Sequence, residues 1–188
     1  MSKILVDTID TRSGTSTLTL GSTNAGTIAL GSGDVQSNFL DPYFHVYKSS
    51  DQSISDNTDT KVQFNAELWD SNNCFDSSTN YRFTPTTAGK YYLFSQCRYT
   101  TGSANAVDSC GMAILKNGST RYFENILIPN SNGNGWVMTS AGILDFNGSS
   151  DYAEVFLNVD VTGGTIQIKG NSTNYRMMSW FMGYRVAS

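Results

Sequence analysis

A hydroxyl nucleophile needs an imidazole base beside it, and the chain offers one histidine, His45. It sits in Phe44-His45-Val46-Tyr47, where alternation with apolar neighbours makes it an outward-facing strand residue. No Gly-x-Ser-x-Gly elbow accompanies it. Glycoside hydrolysis needs two carboxylates held across a sugar. Glu67 with Asp70, and Asp151 with Glu154, are candidate pairs on no firmer ground than that carboxylates are common. Gly31-Ser32-Gly33-Asp34-Val35-Gln36 opens like a dinucleotide-binding loop but lacks the third glycine and a following helix. The residues point away from an enzyme.

Binding chemistry has more to work with. Asp51, Asp56 and Asp59 lie in the polar stretch 50–60 and could offer oxygens to Ca²⁺ on a flexible loop. Their spacing does not match an EF-hand loop, a solvated loop is the alternative, and no cofactor is expected. Asn130 to Gly135 precede Trp136, so Asn132 and Trp136 are candidates for sugar contact, against the reading of Trp136 as a buried strand start. Cys97 and Cys110 flank an expected hairpin and could pair, or remain buried thiols; Cys74 makes the count odd.

These residues must be positioned by strands. Of 188 residues, 61 are Ser, Thr or Asn and 17 are Gly, a composition that disfavours helices because short polar side chains bond their own backbone. Twelve Lys and Arg against sixteen Asp and Glu leave no basic footprint for nucleic acid. No apolar stretch reaches the ~18 residues of a spanning helix, and Asp7 and Asp10 interrupt any signal-like start. Only 15% of residues are charged, so a surface of this chain can be buried in an oligomer at small desolvation cost.

Residues 1–40 differ from residues 41–188. They carry Thr17-Leu18-Thr19-Leu20-Gly21-Ser22 and, ten residues on, Thr27-Ile28-Ala29-Leu30-Gly31-Ser32. Ile4, Val6 and Ile9 form an earlier segment of the same kind. One copy has too few apolar side chains to bury a face, whereas several chains wound together can, so the segment reads as an oligomer-dependent stem; a flexible linker is the alternative. From Tyr43 onward, alternating runs at Tyr43–Ser49, Lys61–Leu68, Arg82–Thr84, Lys90–Tyr99, Ser109–Lys116, Thr120–Ile128, Trp136–Phe146, Tyr152–Val159, Thr165–Lys169 and Ser179–Val186 predict strands. Asn117-Gly118 marks a tight hairpin. About ten strands without a helical window predict an all-β jelly-roll sandwich.

Several motifs then line up in order. Val62-Gln63-Phe64-Asn65, Cys74-Phe75-Asp76, Tyr81-Arg82-Phe83-Thr84-Pro85, Gly89-Lys90-Tyr91-Tyr92-Leu93-Phe94, Lys116-Asn117-Gly118 and Trp180-Phe181-Met182-Gly183-Tyr184 together resemble the globular head of complement component one-q and its tumour-necrosis-factor-like relatives. The resemblance implies a ten-stranded jelly roll assembled as a homotrimer, with Phe83, Tyr91, Leu93, Phe181 and Tyr184 packing in the protomer core or at the trimer seam. No Gly-x-y stalk precedes the head. The beginning, Ile4-Leu5-Val6-Asp7-Thr8-Ile9-Asp10 followed by Leu-x-Leu-Gly-Ser rungs, is similar instead to attachment and stem segments of structural proteins in tailed, particularly marine, bacteriophages. The expectation is a virion protein whose residues Ile4, Val6, Ile9, Leu18, Leu20, Ile28 and Leu30 dock on a phage capsid or tail protein, with no nucleic-acid or membrane partner. The alternative is a tail-fibre or exported module that binds a receptor or host surface glycan.

Overall fold

The structure, a computed structural model, describes residues 42–103, 106–128, 133–171 and 177–187. The attachment residues Ile4, Val6, Ile9, Leu18, Leu20, Ile28 and Leu30, and the loop residue Asn132, lie outside the described residues.

Among the described residues, thirteen strands run in chain order: β1 (Tyr43–Tyr47), β2 (Gln52–Ile54), β3 (Thr60–Lys61), β4 (Ala66–Asp70), β5 (Phe75–Asp76), β6 (Arg82–Phe83), β7 (Gly89–Thr100), β8 (Val107–Lys116), β9 (Thr120–Leu127), β10 (Gly135–Phe146), β11 (Ala153–Val161), β12 (Ile166–Ile168) and β13 (Trp180–Ala187). A single 3-10 turn, Ser71–Asn73, follows β4. One sheet has the order β2-β12-β7-β13-β1-β4, with β10 also paired to β7. The other runs β5-β6-β11-β8-β9, with β3 paired to β11. Pairings are antiparallel, and the two sheets form the expected all-β sandwich.

The period of two in β7 dictates the layering. Tyr91, Leu93, Cys97 and Tyr99 point inward and are fully buried, while Tyr92, Phe94, Gln96 and Arg98 point outward. Met112, Ile114, Val155, Leu157 and Val159 from β8 and β11 close the core from the opposite sheet. At one end the core is aromatic. Phe44 stacks on Phe83 at 4.4 Å and on Phe75 at 5.3 Å, with Phe181 edge-on at 4.9 Å.

The strand pattern departs from the sequence reading at three places, one of them Phe75–Asp76, a short strand against β6 that the reading did not include. Lys61–Leu68 is not one strand: Val62–Asn65 leave the ladder between β3 and β4. The Gln52 side chain takes the place of a strand there, donating to the Lys61 carbonyl at 2.8 Å and accepting from the Gln63 amide at 3.0 Å. Val62 and Phe64 still alternate into the core, which is why the run looks continuous in sequence. Within the polar stretch 50–60, Gln52–Ile54 is a strand against β12. The hairpin at Asn117-Gly118 has φ of 55° and 71°, the left-handed pair that Asn and Gly tolerate best.

Candidate functional site: an aromatic face and an apolar edge

The protomer's own core uses one face of the seven-stranded sheet, and the other face carries an unusual load of rings. Cross-strand partners fall in three rows. Tyr43, Tyr184, Tyr92 and Ile143 form the first; Trp69, His45, Met182, Phe94 and Ala141 the second; Tyr47, Trp180, Gln96 and Thr139 the third. The pairs are in contact: Tyr92 and Tyr184 centroids are 5.6 Å apart, and Phe94 stacks on Trp180 at 5.0 Å. Near the β4 edge, Tyr43, Trp69, Met182 and Tyr184 enclose an apolar groove of about 310 Å³ floored by Phe44 and Gly183. Trp69 and Ile143 are each 53% exposed.

His45 stands in the middle row. Its ring lies 5.2 Å from Trp69 and 5.3 Å from Trp180, and its Nε2 is shielded without a hydrogen-bond partner among the described residues. Burial pulls its pKa below the ordinary histidine value.

A second apolar surface lies on the sandwich edge. The β9 residues Tyr122 and Ile126, with Ile128 just beyond, are exposed, Ile128 by 75%. Strand β9 is held to β10 by side chains: Asn125 Nδ2 donates to the Thr139 carbonyl at 3.2 Å, and Ser140 Oγ to the Phe123 carbonyl at 2.6 Å. Phe123 has φ 51°, rare for a bulky residue, at a register shift in the β8–β9 pairing. That bulge swings its ring over Gly142, where a Cβ would have no room.

The residues singled out in the sequence go to separate places. Phe83, Tyr91, Leu93 and Phe181 are buried between the sheets, and Tyr184 alone of the five points to the outer face. Asp51 accepts from Lys169 Nζ and the Gly170 amide; Asp56 accepts from the Val161 amide; Asp59 pairs with Arg121 and accepts from Asn158. The three carboxylates are thus engaged by different segments, and the described residues contain no cluster of three His, Cys, Asp or Glu side chains fit for a metal. Trp136 is half-buried, 6.1 Å from Tyr99, rather than displayed for a sugar.

Of the carboxylate pairs, Glu67 accepts from Ser77, and Asp70 accepts from Cys74 and from the Phe75 amide. Asp151 pairs with Lys116 at 2.8 Å, and buried Glu154 with Lys61. Cys97 and Cys110 lie on opposite sheets and are unbridged, with Cys110 Sγ 3.5 Å from Met138 Sδ. The aromatic face was legible as alternation in β1, β7 and β13. Trp69 and the exposed apolar side chains of β9 were missed, because both faces of these strands carry apolar residues and the sequence does not say which of them face outward.

No family model matches the sequence, and no curated protein does. Solved structures do match. The globular domain of zebrafish complement 1qA protein aligns with 77% of this chain and 97% of its own, at TM-score 0.53 and 16% identity. Eiger TNF from S. frugiperda covers 78% and 94%, at TM-score 0.53 and 11% identity. Murine APRIL covers 77% and 98%, at TM-score 0.54 and 13% identity. The chain has their jelly-roll fold. At such low identity the likeness concerns the fold alone, so a role has to be argued from this chain's own surfaces.

Proposed function

We propose that the chain is a non-enzymatic structural protein of a bacteriophage virion, a homotrimeric jelly-roll head projecting from the capsid surface and anchored through residues 1–40. The observation that carries the assembly is the outer aromatic face: four strands present Tyr43, His45, Trp69, Tyr92, Phe94, Trp180, Met182 and Tyr184 outward, with none of the described residues packed over them. Contiguous apolar surface of this kind marks an interaction site. The β9 edge, with Tyr122, Ile126 and Ile128, is a second apolar surface of different shape. A flat face meeting a strand edge makes a heterologous contact, which stays soluble only when it closes into a ring. Three copies are the number the one-q-like resemblance implies.

The virion role is supported by sequence: the rungs at Leu18–Ser22 and Ile28–Ser32 lie ahead of a head whose candidate carboxylates Glu67, Asp70, Asp151 and Glu154 are taken up in structural hydrogen bonds and ion pairs. Gold-tagged antibody against the head, viewed on particles by electron microscopy, tests it. Label spread over the shell is the expected result. Label confined to the tail would make the chain an adsorption protein, and unlabelled particles would return it to a cellular binding module.

A further inference from the structure

The outer face holds a single ionisable imidazole in a setting that disfavours its charged form. His45 projects from β1 between Trp69 on β4 and Trp180 on β13, opposite Met182. Its Nε2 is already closed off and unpartnered, while part of the ring still reaches water. Indole rings offer a cation only a modest attraction at a site that still reaches water. Burial nevertheless prevails here and disfavours the charged form.

Among the described residues, no acidic group stands ready to compensate. On β4, Glu67 accepts from Ser77 and Asp70 from Cys74 and Phe75. On β13 the charged residue is Arg185, at the far end beside Tyr91 and Lys90. Lys48, just after β1, is buried and donates to the Gln63 carbonyl at 3.0 Å. On the β9–β10 edge that would cover this face, Arg121 pairs with Asp59 and Glu124, and Asp145 lies near Lys90.

We infer that His45 makes assembly of the head pH-sensitive: subunits associate over the neutral imidazole and separate when it takes up a proton. The inference rests on the reading that a second copy covers this face. Covering the ring removes its remaining water, and the protonated form would then bury two N–H donors and a charge without an acceptor. The sign follows from linkage. The assembled state binds fewer protons than the free protomers, so association is fully present above the free protomer's own His45 value, which burial already holds below 6.5, and is lost as pH falls through that lowered value. With one such histidine per chain, a trimer takes up as many as three protons on separating. Its dissociation constant then rises by as much as about a thousand-fold per pH unit. The carboxylates Asp51, Asp59 and Asp151, each lowered by its hydrogen-bonded partners, keep their charge at pH 5.

Sedimentation of the full chain at micromolar concentration, at pH 7.5 and pH 5.0, tests this against His45→Phe. The wild-type protein is expected to sediment as a trimer at pH 7.5 and to move toward protomer at pH 5.0, reversibly and with unchanged far-ultraviolet circular dichroism. His45→Phe is expected to show no such shift between the two pH values. A monomer at both pH values would remove the covered face and the inference with it. A wild-type trimer equally tight at pH 5.0 would overturn the switch alone, as would a His45→Phe protein that dissociates in parallel or a loss of fold at pH 5.0. The lone imidazole also gives one proton resonance to titrate, and a value at or above 6.5 in the trimer would contradict the mechanism.

Discussion

Phe83 and Tyr184 carry similar rings to different environments, and truncation separates them. Phe83 is fully buried and touches Phe44, Tyr91 at 5.3 Å and Phe146 at 5.5 Å. Phe83→Ala is expected to cost about 3–5 kcal/mol of protomer stability, as large-to-small changes in packed cores do. Tyr184→Ala should leave denaturant unfolding of the protomer within about 1 kcal/mol and instead weaken association. Equal losses in chemical denaturation would mean that Tyr184 belongs to the core after all. The buried thiols and phenols set a second expectation. Burial raises Cys97 and Tyr91 to about 12 and also raises Cys74, Cys110 and Tyr99. Thiols in the unfolded chain release protons from about pH 9, where the folded chain retains them, so stability is full below that pH and falls as pH rises. Lys48, lowered to about 8 by burial, works the other way, its penalty easing between 8 and 10.5. Three thiols and two phenols outweigh one amine. Urea midpoints should drop from pH 8.5 to 10.5, and a midpoint that holds steady would mean these groups are wetter than the structure places them.

At the scale of the element, β9 is the least secured strand of the sandwich. It pairs with β8 alone, its side chains are mostly exposed, and Phe123 and Leu127 are its two that pack on the core. Phe123 adopts positive φ so that its ring can lie on Gly142, tying β9 to β10. Gly142→Ala puts a methyl where the ring sits, at a cost of about 1–3 kcal/mol by overpacking. Amide exchange in β9 should accelerate before that in β7 or β11, and unchanged β9 protection would show that the ring does not hold the strand. This device was not legible in the sequence, since positive φ at a phenylalanine runs against its local preference and is imposed by a bulge in the β8–β9 pairing. The long strands were legible, because Tyr91, Leu93, Cys97 and Tyr99 alternate without a break. The short ones were not: Gln52–Ile54 looks like polar loop because two of its three residues are Gln and Ser. For the aromatic face, alternation marks Tyr92, Phe94, Trp180 and Met182 as opposite to the core but cannot say that rings from four strands merge.

The whole molecule carries two apolar surfaces that differ in shape, and this decides how copies can meet. A two-fold pairing of face on face would use the same patch twice, whereas face on edge uses each patch once per subunit and must close into a ring. Charge reversal of apolarity separates the two geometries. Trp69→Arg spoils the face and leaves the β9 edge intact; Ile126→Arg spoils the edge and leaves the face intact. Each protein alone is expected to be monomeric by light scattering, since neither can present both halves of a contact to its own copies. Mixed in equal amounts, they should form a one-to-one pair and stop there, because the sound edge of the first meets the sound face of the second while the other two surfaces are blocked. Under face-to-face pairing, Ile126→Arg alone would remain associated and the mixture would add nothing. A one-to-one pair from two monomers is therefore the signature that a flat aromatic sheet and a loosely held edge strand are the two halves of one interface.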